Sequence, residues 1–427
     1  MSGSWVTLMI LFMAGLLLNL PIAFALGAAS IIFLLFFTSL PIDMFIQACF
    51  SGIDSMPLLA VPFFILAGEI MLVGGISKRL IDVAKSCINK IPGALGVVTA
   101  VSSAFFAAIS GSGPATVACI GGITIPEMKK DKYDPSFASA IAAVSGTLGP
   151  VIPPSIVFIV YGVSVNVSIT KLFIAGVIPG FLMVLALCIW VYIVSRKHNY
   201  GLSAEAHASI MPVSKALMNG IWAMLVPVII LGGIYGGFFT PTEAAIVSCV
   251  YGILVGALIY RELTVRAFVE ALRKAALTTG TVLILVATAT AFGRLVAMSG
   301  LTELISTGMP SLTDNVVVLL LLINVFLFIV GMFMETLAAT IILAPILLQV
   351  VAPYNVNPIH FGVIMCVNLV IGMCTPPVGV NLFVATRIGK VSIEQMVRPL
   401  LPAIGALLIV LMLVTYIPGL SLFLIPK

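Results

Sequence analysis

The residues best placed to do chemistry in this chain are hydroxyls and bare backbone groups rather than acids, thiols or imidazoles. Ser110-Gly-Ser-Gly-Pro-Ala-Thr116 and Ser145-Gly-Thr-Leu-Gly-Pro-Val-Ile-Pro-Pro-Ser155 sit in apolar surroundings, and neither run can stay helical. Proline removes a backbone donor and glycine permits unwinding, so amides and carbonyls are freed where each costs several kcal/mol unless paired. Freed carbonyls around Gly113, Gly146, Gly149 and Pro150 suit a cation, and the hydroxyls of Ser110, Ser112 and Thr147 add oxygen ligands. Half-helix N-termini suit an anion. A second pair of breaks repeats the pattern, with Glu335 and Thr336 in one run and Gly372, Thr375, Pro377 and Asn381 in the other. The first pair holds no carboxylate, which favours sodium over a proton; Glu335 leaves a proton open in the second.

Arg294 is the one Lys or Arg inside an apolar run, flanked by Gly293 and by Thr288 and Thr290. A charge at that depth is a functional hypothesis by default. It reads as a counter-ion for a substrate carboxylate, with Ser112, Thr336 and Asn381 completing the substrate site. The ordinary alternative is a snorkelling side chain near a helix end. Asn324 and Asn368 read as interhelical hydrogen-bonding groups, His360 as a surface residue, and Glu69 as a partner for another helix or subunit. Thr240-Pro-Thr-Glu243 has the form of a helix N-terminal capping box.

These residues must be positioned by membrane helices. Of 427 residues 61% are hydrophobic and 8% charged, which no soluble fold can bury. Runs such as 316–330 and 400–414 are apolar on every side, which excludes a transmembrane barrel. The net charge of +5 lies in short connections, where membrane orientation explains it without nucleic acid. Seven scattered cysteines form no Cys-x-x-Cys motif, and no Walker A or hydrolase motif is present, so neither ATP-driven pumping nor an enzyme has support.

Sliding the chain by 223 positions lays Pro135 on Pro358, Gly149 on Gly372 and Pro153-Pro154 on Pro376-Pro377 without a gap. The chain is therefore read as two repeats, 1–195 and 218–427, joined by a cytoplasmic connector at 196–217. Lys and Arg mark cytoplasmic loops. They border 93–128 at both ends, whereas no Lys or Arg occurs in 295–386, on either side of 315–352. Each of these segments is predicted to be a re-entrant hairpin of two half-length helices, opening to opposite sides. The predicted fold is an all-α polytopic membrane protein with an inverted repeat, two re-entrant hairpins and two broken helices at 135–164 and 358–386. Segments 42–55 and 262–274 are predicted as surface amphipathic helices, and both termini are placed outside.

Four of these motifs, Ser110–Thr116, Gly146–Ser155, Phe239-Thr-Pro-Thr-Glu-Ala-Ala245 and Thr375-Pro-Pro-Val-Gly-Val-Asn-Leu-Phe383, resemble the large membrane subunit of tripartite ATP-independent periplasmic (TRAP) transporters almost end to end. The resemblance implies a bacterial inner-membrane sodium symporter working by an elevator motion on an organic acid. It also implies a separate small four-helix membrane subunit (Q type) and a periplasmic substrate-binding protein (P type). Arg294 resembles a position that carries arginine in sialic-acid members, which favours sialic acid over a C4-dicarboxylate. A related elevator exchanger without a soluble partner is the alternative, although its usual Ser-Asn-Thr hairpin tips are absent.

Overall fold

The computed structural model describes residues 4–88, 91–201, 211–300 and 315–426. Lys90, Glu303, Asp314 and the middle of the expected connector lie outside the described residues. Among the described residues there is no strand, and eight helices are long and apolar enough to cross a membrane. Only about a third of Val316–Phe333 is buried, so lipid must cover the rest of this uniformly apolar helix.

One group of helices forms a scaffold. Ala60–Val73 packs against Pro241–Leu254 and against the 34-residue helix Val265–Met298, on which Asp43–Ile53 also lies. The capping box at Thr240 forms as expected, with Thr240 Oγ1 accepting from Glu243 N and the Glu243 carboxylate accepting from Thr240 N. The expected surface helix at 262–274 is not a separate element: it runs unbroken into the spanning segment. Charges at Arg273 and Lys274 suggested a boundary, but the first glycine is Gly280 and no proline intervenes, so nothing breaks the ladder. Conversely, the basic stretch read as a loop folds as the helix Ile76–Cys87, which packs on Val213–Tyr235.

The second group holds the hairpins and broken helices. Hairpin one is Ala94–Ser110 followed by Gly113–Thr116, a π turn at Val117–Gly121 and Gly122–Lys130; hairpin two is Val316–Phe333 followed by Thr336–Val351. Arms of 16 to 18 residues reach about 24–27 Å, longer than the half-length helices predicted. The first broken helix is Pro135–Ser145, a short 3-10 turn, and Ile156–Ser164; the second is Pro358–Gly372 and Val380–Gly389.

The shift of 223 reappears in the local chemistry. Ser112 and Glu335 stand at the N-cap positions of their hairpins' second arms, and of the two only Glu335 caps with its side chain. Asp134 Oδ1 caps one broken helix by accepting from Ser136 N and Phe137 N, and Asn357 Oδ1 caps the other by accepting from Ile359 N and His360 N. Both Pro-Pro bonds are cis.

Helix Ile393–Tyr416, about 36 Å long, shows that the hairpins face opposite ways. Near its start, Lys129 at the base of hairpin one donates to Gly389 O; at its end, Tyr416 OH donates to Val317 O at the base of hairpin two. Basic residues gather at the first of these ends, where Lys85 also pairs with Glu127.

Candidate functional site

Both hairpin tips reach a single cavity of about 350 Å³. Ser110, Ser112 and Gly113 line it from tip one, and Glu335 and Thr336 from tip two. Pro150 and Met373 enter from the broken helices, while Glu69 and Thr278 close it from the scaffold. Thus the tips of two oppositely directed hairpins meet at one depth, as mid-membrane sites in inverted-repeat carriers require.

Tip one is held by its own hydroxyls. Thr116 Oγ1 donates to Ser112 O at 2.7 Å and lies 3.3 Å from Ser110 Oγ, which in turn accepts from Ser112 N at 3.4 Å. The first break nests directly on this tip. A Cβ on Gly149 would collide with Ser112 O and stand 2.8 Å from Gly113 N. Its repeat equivalent Gly372 meets the backbone of Gly331 on hairpin two in the same way. Each position needs glycine because backbone, not a movable side chain, occupies the space.

Oxygen atoms without partners gather at these breaks. Among the described residues, Ser145 Oγ, Asn381 Oδ1 and Thr336 Oγ1 are buried and unpaired, as is Asn368 Oδ1, the repeat equivalent of Ser145. A Cβ on Gly113 would stand 3.1 Å from both Asn381 Oδ1 and Gly146 O, so carbonyl and amide oxygens crowd the tip. A buried acceptor left unpaired costs about 1–3 kcal/mol. An all-oxygen donor set of this kind fits a hard monovalent cation, with no thiol or imidazole in the group.

Several expected site residues are placed differently. Thr147 Oγ1 donates to Val144 O and Thr375 Oγ1 to Ile371 O, so both hydroxyls are committed to their own helices. Glu335 Oε2 accepts from Leu337 N and Ala338 N at 3.0 and 3.2 Å, a helix cap as well as a cavity wall. Asn381 does not line the cavity; it is buried behind the tip and donates to Ala143 O at 3.2 Å, joining the two repeats. Pro377 is exposed and away from the cavity.

Arg294 is the largest departure from expectation. Its guanidinium donates to Ser51 Oγ at 2.7 Å on the surface helix Asp43–Ile53, is exposed, and takes no part in the cavity. The polar setting inferred from Thr288 and Thr290 is not there, because both hydroxyls donate back to carbonyls of their own helix. His360, read as a surface residue, is 3% exposed with Nε2 3.3 Å from Thr415 O. Asn368 does bridge helices as expected, donating to Asn324, whose amide donates to Thr415 Oγ1.

Glu69, read from the sequence as a partner for another helix or subunit, was not among the expected site residues. It faces the cavity from the scaffold, and Oε2 is buried without a partner. One turn of contact explains its reach: a Cβ on the adjacent Gly68 would lie 3.5 Å from Ser110 Cβ, so this scaffold helix touches tip one. An acidic residue within an otherwise apolar span was the available signal.

An inverted repeat that gathers two hairpin tips and two broken helices around one buried cavity defines an elevator-type membrane carrier. The chain belongs to the family described as the DctM component of tripartite ATP-independent periplasmic transporters, which matches residues 9–420. It is 45% identical over 96% of its length to the isethionate TRAP transporter permease protein DctMQ of Oleidesulfovibrio alaskensis, of which it spans 64%. It is 39% identical to the sialic acid TRAP transporter large permease protein SiaM of Vibrio cholerae, covering 95% of both chains. The C4-dicarboxylate large permease DctM of Pseudomonas aeruginosa is 38% identical over 93% of each chain. Among solved structures, the YdaH transporter of Alcanivorax borkumensis shares the fold at a TM-score of 0.67 and 17% identity, covering 98% of this chain and all of that one.

Proposed function

We propose that this TRAP large permease takes up an organic acid across the bacterial inner membrane, coupled to sodium, by an elevator motion of the hairpin group against the scaffold. The observation that carries the proposal is the convergence of unpaired buried oxygens and both hairpin tips on one depth. Sodium would be held by carbonyls around Ser112, Gly113 and Gly146 with Asn381 Oδ1, and by the equivalent group around Thr336 and Gly372. With the ions in place the tips close on the anion, and the opposite charges partly cancel. A half-loaded site keeps uncompensated charge in a low dielectric, which makes its crossing costly and so couples the two fluxes.

The named relatives carry isethionate, sialic acid and C4-dicarboxylates. The preference for sialic acid rested on Arg294, which stands away from the cavity, so that support is gone. Glu69 now supplies the better indication. An unpaired carboxylate oxygen facing an anion site repels a plain dicarboxylate but accepts a hydrogen bond from a hydroxyl. A hydroxylated organic acid is therefore the proposed substrate class. Delivery would fall to a soluble periplasmic binding protein, with a small four-helix membrane subunit beside the scaffold.

Reconstitution tests the proposal. The chain, its small subunit and a candidate soluble partner are placed in vesicles, and uptake of labelled hydroxy acids is followed under an inward sodium gradient. Uptake that survives collapse of that gradient would falsify the coupling. Current without added acid would mark a channel instead.

A further inference from the structure

We propose that a second cavity, at the basic end of the hairpin group, holds the phosphate headgroup of an anionic phospholipid. This cavity measures about 980 Å³ and is separate from the tips. Four cations enter it from four chain segments: Lys129 at the end of hairpin one, Lys197 at the end of helix Ile169–His198, Lys390 after the second broken helix, and Arg398 in the first turns of Ile393–Tyr416. Asp134 is the one carboxylate in the lining, and its Oδ1 is occupied in capping a helix. Four positive charges against one negative leave the lining at +3, with histidine neutral. Lys129 donates to Gly389 O, while Lys197, Lys390 and Arg398 form no ion pair among the described residues. Loop orientation accounts for basic residues at this end, but not for their convergence on one concavity, where they repel one another. An anion relieves that repulsion.

The surroundings select a lipid over a free phosphate. Ile189, Ile193 and Lys197 fall at i, i+4 and i+8, on one face of their helix, and Leu401 follows Arg398 at i+3 on the helix packed beside it. Ile189, Ile193 and Leu401 are 50%, 60% and 60% exposed. Exposed apolar side chains on two neighbouring helices, Ile189 and Ile193 on one and Leu401 on the other, therefore form short stripes that lead toward the cations Lys197 and Arg398 of the cavity. Acyl chains would lie on the stripes while the phosphate sits among the amines, at the depth of the inner-leaflet headgroups. Basic pockets between helices on the cytoplasmic side are suited to anionic headgroups for these reasons. A soluble phosphate would gain nothing from the stripes.

The test compares lipid retained by the full-length protein after extraction from vesicles of phosphatidylcholine with one fifth phosphatidylglycerol, read by native mass spectrometry. Wild type is expected to enrich phosphatidylglycerol over phosphatidylcholine. Combining Lys197→Gln, Lys390→Gln and Arg398→Gln should cut that enrichment on the order of tenfold or more. The charge-matched set Lys130→Gln, Lys215→Gln and Lys274→Gln, outside the cavity, should leave it unchanged. Arg398→Gln alone should give a partial loss, and thermal melting in pure phosphatidylcholine should be the same for all variants. Equal loss in both triple sets, or none in either, overturns the site. Displacement of the lipid by millimolar inorganic phosphate, or phosphate binding without any lipid preference, overturns the lipid as occupant.

Discussion

At the scale of single residues, the site depends on which atoms lack a partner and which lack a side chain. Glu69→Gln removes the charge that disfavours a second carboxylate while keeping an acceptor. The ratio of kcat/KM for a hydroxylated acid over a plain dicarboxylate should fall by about tenfold, the worth of one hydrogen bond to a charged group; an unchanged ratio would detach Glu69 from recognition. Gly372→Ala should destabilise the protein by about 1–3 kcal/mol, because the new methyl meets the Gly331 backbone. Gly280→Ala, with open space around it, should not lower the melting temperature. The sequence shows why such glycines and prolines matter, since they punctuate otherwise uniform helices. It could not show the surroundings of Glu69, whose cavity neighbours Thr278 and Glu335 lie more than two hundred positions away. The direction of the Arg294 side chain was hidden for a related reason: hydropathy gives a residue's depth but not the face of the helix it occupies.

At the scale of elements, the caps are where the two repeats agree most closely. Asp134 and Asn357 each start a broken helix with one side-chain oxygen accepting two backbone amides. Asp134→Ala and Asn357→Ala should each cost about 1 kcal/mol, measurable as lower thermal stability in detergent. A much smaller loss at either position would mean that its hairpin or scaffold neighbours hold the helix start without it. The breaks were legible because Pro-Pro leaves the backbone few alternatives, whereas the caps at Asp134 and Asn357 emerged only with the structure. The junction near 274 was not, because charge was taken as a boundary where backbone chemistry offers none. The helix Ile76–Cys87 was hidden similarly: its basic residues resembled a loop, yet Leu80, Ile81 and Ala84 bury a continuous face.

At the scale of the whole molecule, the elevator proposal requires the hairpin group to slide past the scaffold, and one contact can arrest it. Gly68 and Ser110 place their Cβ positions 3.5 Å apart across the boundary, at the near edge of disulfide geometry. The double variant Gly68→Cys/Ser110→Cys should lose uptake on oxidation and recover it with reductant, beyond any loss in the single variants. Full uptake by the cross-linked protein would show that these groups do not move apart. The hairpin group itself is interlocked across the repeats: Tyr161 OH donates to Pro358 O, Cys366 Sγ to Pro150 O, and Asn381 to Ala143 O. During synthesis, then, the earlier copy waits in the bilayer with its interior half built until residues 358–381 emerge. A nascent chain stalled before that point has no route to a finished core, which makes the emergence of residues 358–381 the step at which assembly is decided.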